Sequence, residues 1–102
     1  MVSHEQMDTL TERLNEIESE RFKQMGYTHT PDVVHWKDRG KKFVAVDIGG
    51  RGAWLIEKTT GEIFNIKGYG VADYNKKRKA NIGNIDTVDP VNMHNRRWNY
   101  LR

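Results

Sequence analysis

There is no cysteine in the 102 residues. Disulfides, a redox dithiol and every thiolate metal site are therefore excluded, and nothing demands an oxidising compartment, which fits a cytoplasmic protein. Serine is nearly absent. Ser3 and Ser19 are the only two, both lie in a helical pattern, and no G-x-S-x-G turn presents a nucleophile. No apolar run approaches the ~20 residues of a membrane span. The N-terminus is polar and acidic with no h-region, so it does not read as a secretory signal. His4, His29, His35 and His94 show no ligand-like i, i+3 or i, i+4 pairing. Carboxylate pairs such as Asp47 with Glu57, or Asp73 with Asp86, default to surface carboxylates, because acid–base work requires a meeting in space that spacing does not establish. No catalytic residue, metal site or cofactor is assigned, and the chain reads as non-enzymatic.

What is present is charge, unevenly placed. Charged residues make up 30% of the chain and the net charge is +3. Met1 to Gly26 holds six acids and three bases, net −3, and the remainder holds 14 bases and eight acids, net +6. An acidic first quarter ahead of a basic remainder implies an anionic partner for the basic part, or mutual attraction of the two parts within the fold. At this length the chain is one domain, large enough to bury a modest core without staples. It has no internal repeat and no linker long enough to separate domains.

The β-branched and aromatic residues gather between Lys42 and Gly70. Phe43 to Ile48 alternates strictly, with Val44, Val46 and Ile48 on one face and Phe43, Ala45 and Asp47 on the other, the period of a half-buried strand. Gly49-Gly50-Arg51-Gly52 is a reversal; a phosphate cradle is the rival reading, but no P-loop signature accompanies it. Ala53 to Lys58 resumes with Trp54 and Ile56 opposite Leu55. Thr59-Thr60-Gly61 fits a three-residue connection closed by a glycine at positive φ. Glu62 to Lys67 returns, with Phe64 and Ile66 opposite Ile63. These runs predict an antiparallel β-meander over 33–85.

Ahead of the meander, 3–25 reads as one amphipathic helix. Met7, Leu10, Leu14, Ile17 and, less regularly, Phe22 and Met25 make an apolar stripe, with Thr11 outside it as an exposed position. Ser3 with Gln6 is a capping-box pattern, Arg21 and Lys23 suit the C-terminal end of the dipole, and Gly26 suits C′. The stripe packs on the meander or pairs with another chain; packing is expected, since a helix this short is marginal unless docked. The acidic face of Glu5, Asp8, Glu12 and Glu16 reads as solvated. Val33 to Trp36 is a first short strand, with 37–41 a turn. Val71 to Tyr74 extends the last hairpin strand. Ala80 to Ile85 is a final strand anchored by Ile82 and Ile85, ended by Asp89-Pro90. The tail, 91–102, is compatible with a short helix or with no fixed structure.

The stretch richest in chemistry is Lys67-Gly68-Tyr69-Gly70-Val71-Ala72-Asp73-Tyr74. It resembles the sheet motif of RNA-recognition domains, K/R-G-F/Y-G/A-F-V-x-F/Y. The basic residue, first glycine, first aromatic, small residue and last aromatic match, while Val71 and Ala72 replace an aromatic and a valine. With Phe64-Asn65 ahead of it, the stretch also resembles a compressed core segment of the cold-shock domain. The resemblance implies glycines that admit a nucleotide to the sheet and tyrosines on which bases stack. It covers eight residues, and the order of elements is that of neither fold. A glycine-bounded strand end explains the same residues without nucleic acid. More broadly, Gly52 to Lys58, Thr60 to Ile63 and Ile66 to Val71 resemble small phage-encoded proteins of no assigned function, which implies a small soluble protein of the bacterial host cytoplasm and transfers no catalytic residues.

The sequence therefore predicts an α+β domain, an N-terminal amphipathic helix on an antiparallel sheet of four or five strands. The function expected is nucleic-acid binding through Lys67, Tyr69 and Tyr74, the basic run Lys76, Lys77, Arg78 and Lys79, and Arg96, Arg97 and Trp98. The alternative is a protein-binding module or inhibitor of a host protein.

Overall fold

A computed structural model describes residues 1–26, 33–68, 71–72 and 81–101, with side chains for all of these but 67, 68, 71, 81 and 96–101. Helix α1 (His4–Gln24) precedes strands β1 (Val34–Arg39), β2 (Phe43–Ile48), β3 (Arg51–Glu57), β4 (Glu62–Gly68), β5 (Val71–Ala72) and β6 (Asn81–Asn84), and helix α2 (Pro90–Leu101) follows. The sheet is antiparallel in the order β1-β2-β3-β4-β5, and β6 pairs with β4. The fold is α+β, with the N-terminal helix on a meander. Among the described residues the strands number six, because Val71–Ala72 runs antiparallel beside β4 instead of extending it.

The start of α1 is set locally. Ser3 Oγ accepts from the Gln6 N–H (3.1 Å) and Gln6 Oε1 accepts from the Ser3 N–H (2.9 Å), the reciprocal capping box. Gly26 follows the helix at φ 74°, a conformation that suits glycine. Met7, Leu10 and Leu14 are buried. Two positions depart from the expected stripe. Thr11 is buried because its hydroxyl donates to the Met7 carbonyl (2.9 Å), which lets a polar residue sit in the apolar seam. Met25 lies past the last helical turn and is half exposed.

The alternation read in β2 and β3 divides the interior into two clusters. Val34, Val44, Val46, Trp54, Ile56 and Ile63 face α1 and join Met7, Leu10, Leu14, Ile82 and Met93. Ala45, Leu55, Phe64 and Ala72, with Phe43 and Ile66, form the cluster on the opposite face. A bulge between Val46 and Asp47 on the β2–β3 ladder admits one extra residue in β3, so Ala53 and Trp54 both join the α1-side cluster.

β1 is longer than the sequence suggests. The charged residues Lys37, Asp38 and Arg39, expected in a turn, continue the strand, and Gly40 at φ 73° makes the reversal. Charges of this kind are typical of an edge strand, and their alternation with few apolar residues hides it in the sequence. α1 is tied to this edge by Asn15, whose amide donates to the Val34 carbonyl (2.8 Å) and whose Oδ1 accepts from the Val34 N–H (2.7 Å). The Trp36 indole donates to Asp8 (2.8 Å).

The β3–β4 connection has four residues, Lys58 to Gly61, one more than expected. Lys58 is drawn out of that hairpin because its N–H donates to Lys42 O (2.8 Å) and its carbonyl accepts from Val2 N (2.8 Å). The closing glycine is as expected, with Gly61 at φ 78°. At the other end of the chain, Asp89-Pro90 begins a helix. Asp89 Oδ1 accepts from the Val91 N–H (3.0 Å), and proline occupies the first helical position, where it has no hydrogen bond to lose.

Candidate functional site

The residues expected to bind nucleic acid fall mostly beyond what the structure describes. Lys67 lies in β4 at the residue before its last, Gly68. Arg96, Arg97 and Trp98 lie in the C-terminal half of α2. Tyr69, Tyr74, Lys76, Lys77, Arg78 and Lys79 lie outside the described residues. The motif stretch is therefore located by its backbone flanks alone: β4 carries its first two residues and β5 its fifth and sixth.

Two polar arrangements escaped the sequence reading. One joins the helices. His94 on α2 and Glu18 on α1 are 2% and 5% exposed, and His94 Nε2 lies 2.5 Å from Glu18 Oε2. Arg21 Nη1 stands 3.8 Å from the other oxygen of Glu18, from a partly solvated position. This buried pair underlies a groove of about 710 Å³ between the helices, whose walls include Arg13, Glu16, Glu20 and Arg21. Glu18 looked like one more acid on a charged helix, and no spacing ties it to a residue 76 positions away.

The other arrangement lies on the outer face of the β1–β2 ladder, the face turned away from α1. Register places His35 opposite Asp47, Lys37 opposite Ala45, and Arg39 opposite Phe43. His35, Lys37 and Arg39 are exposed and Phe43 is half-buried. Lys42 Nζ sits 5.3 Å from the centre of the Phe43 ring. That ring meets Phe64 edge-on, with centroids 6.4 Å apart. Asp47 is buried, with His35 Nε2 at 3.8 Å and Lys37 Nζ at 3.6 Å from one carboxylate oxygen. Period two in β1 alone would have shown this row, had Lys37 to Arg39 been read as strand.

Among the described residues, no group of three or more His, Asp or Glu side chains is placed to hold a metal ion, and no helix is long and apolar enough to cross a membrane. No family model matches the chain, and no curated protein or solved structure matches it either.

Proposed function

We propose that this is a small non-enzymatic accessory protein, phage-encoded and acting in the host cytoplasm, that binds nucleic acid through a basic, aromatic-bearing surface. That surface comprises Lys67, Tyr69 and Tyr74, Lys76 to Lys79, and Arg96, Arg97 and Trp98. The observation that supports this reading is the pairing of the acids on α1. Among the described residues, Glu16 pairs with Arg13 and Glu18 with Arg21 of the same helix, Glu18 also meets His94, and Asp8 accepts from the Trp36 indole. No α1 carboxylate, among the described residues, forms an ion pair with a lysine or arginine of the sheet. The contacts of these acids among the described residues lie within α1 or with His94 and Trp36, and the net +6 of the remainder favours a polyanionic partner.

The test is fluorescence anisotropy with labelled single-stranded and duplex oligonucleotides at two salt concentrations. Replacing Lys76, Lys77, Arg78 and Lys79 by glutamine should flatten the slope of log affinity against log salt, because these residues would neutralise phosphates. Tyr69→Ala and Tyr74→Ala should weaken single-strand binding, by about 1–3 kcal/mol each, with the slope nearly unchanged. No binding at low salt, combined with capture of a protein from nuclease-treated host lysate, would put the protein-binding module in first place.

A further inference from the structure

We infer that the outer face of the β1–β2 ladder is a second contact surface for single-stranded nucleic acid, with Phe43 as a stacking platform and Lys37, Arg39 and Lys42 as phosphate contacts. This rests on the nucleic-acid reading above but uses none of the residues proposed there. Alternate residues of a strand stand ~6.8 Å apart on one face. His35, Lys37 and Arg39 therefore form a straight row of cationic or ionisable groups at a separation close to that of successive phosphates on an extended strand. All three are exposed. Of the six side chains that the register places on this face of the two strands, only Asp47 is acidic, and it is buried beneath the row. Asp38 projects from the opposite face and pairs with Lys58 (3.0 Å).

Basic residues on an edge strand commonly do no more than prevent sheet-to-sheet aggregation. Phe43 distinguishes this case. It is a half-buried aromatic directly across from Arg39, its ring stands at right angles to that of the buried Phe64, and the ammonium of the exposed Lys42 lies over it. A ring packed against Phe64 on one side would take a base where the flexible Lys42 side chain now lies, with the Lys42 ammonium swinging aside to a phosphate. Single-strand binders combine these two parts, an aromatic platform and a positively charged track. An acidic peptide would use the cations and have no need of the ring.

The experiment titrates labelled oligothymidylate against the full chain and two variants, each shown by circular dichroism to be fully folded at the assay temperature, since Lys37 also stands 3.6 Å from the buried Asp47. Lys37→Gln/Arg39→Gln/Lys42→Gln removes three cations from exposed positions. It should lower the slope of log affinity against log salt by about two, at roughly 0.7 per phosphate for a single strand. Phe43→Leu keeps the apolar contact with Phe64 and removes the ring's π-face. It should weaken single-strand binding about five-fold or more without changing the slope, and should leave duplex binding unaltered. If both variants bind like wild type while the variant at Lys76 to Lys79 loses affinity, this surface is refuted and the nucleic-acid reading stands. If polyglutamate displaces the oligonucleotide equally well per charge and Phe43→Leu has no effect, the ladder is a general anion surface and the inference fails. No binding of wild type at low salt overturns both readings.

Discussion

His94→Ala should be among the most destabilising single changes outside the apolar core. The substitution leaves the Glu18 carboxylate, 5% exposed, without the ring nitrogen that lies 2.5 Å away. Arg21 cannot replace it. Its guanidinium is 3.8 Å from the other oxygen and about a quarter exposed, so solvent screens the attraction. Leaving a buried polar group without its hydrogen-bond partner costs about 1–3 kcal/mol, and more where the group is charged. A domain of this size has about 5–15 kcal/mol in all, so the variant would lose a large part of its stability. Urea denaturation followed by far-ultraviolet circular dichroism measures the loss. Part of it will come from the imidazole's packing, and Glu18→Gln separates the two, because an amide oxygen still accepts from Nε2–H while the charge is gone. The double variant Glu18→Met/His94→Leu gives the sharpest comparison. Replacing both members with apolar side chains of similar volume is often close to neutral, so the double variant should be more stable than His94→Ala. If His94→Ala costs less than about 1 kcal/mol, or the double variant is the less stable, the pair is not a desolvated interaction and the reasoning is wrong.

Three further predictions concern the scaffold. Leu14→Ala, at a position with no exposure, should cost about 2–5 kcal/mol by thermal or chemical denaturation, against little change for the exposed Thr9→Ala. Gly61→Val should destabilise the β3–β4 turn: φ is 78°, and an added Cβ would stand 3.0 Å from both Asn84 Oδ1 and Ile85 Cγ2, so strain and contact act together; an unchanged denaturation midpoint would rule this out. Asn15→Ala removes both hydrogen bonds to the Val34 backbone and should cost about 1–3 kcal/mol, with amide hydrogen exchange at Val34 quickening first.

The fold was legible where a periodicity had one cause. In β2 the two-residue period follows from two buried faces of different depth, and Val44 and Val46 separate from Phe43 and Ala45 as the pattern requires. The period of α1 and its capping box are equally local. Reading failed where the deciding contact was distant. Whether the turn before Gly61 has three residues or four depends on Lys58, and Lys58 is held by Lys42 and by Val2. The length of β1 depends on β2, whose pairing continues past Trp36 through Lys37, Asp38 and Arg39, set against Ala45, Val44 and Phe43. The start of α2 could have been found, since aspartate followed by proline is as good a helix opening as a strand ending.

The site was legible in proportion to how locally its chemistry is encoded. A glycine-and-tyrosine motif is visible as a string because its spacing along one strand is its mechanism. A buried hydrogen-bonded pair between two helices has no such string, and neither Glu18 nor His94 differs in sequence context from the exposed Glu20 or Asn95 beside it. The β1–β2 ladder falls between these cases. Its row of His35, Lys37 and Arg39 is periodic and could be read as written, but its meaning depends on the register that sets Arg39 against Phe43. A slip of one residue would turn Phe43 toward α1 and leave the cations with no ring beside them. That register is fixed by the partners on the α1 side of the same ladder, Val34 against Ile48 and Trp36 against Val46. The apolar core on one face of the sheet thus determines which charges stand beside which aromatic on the other.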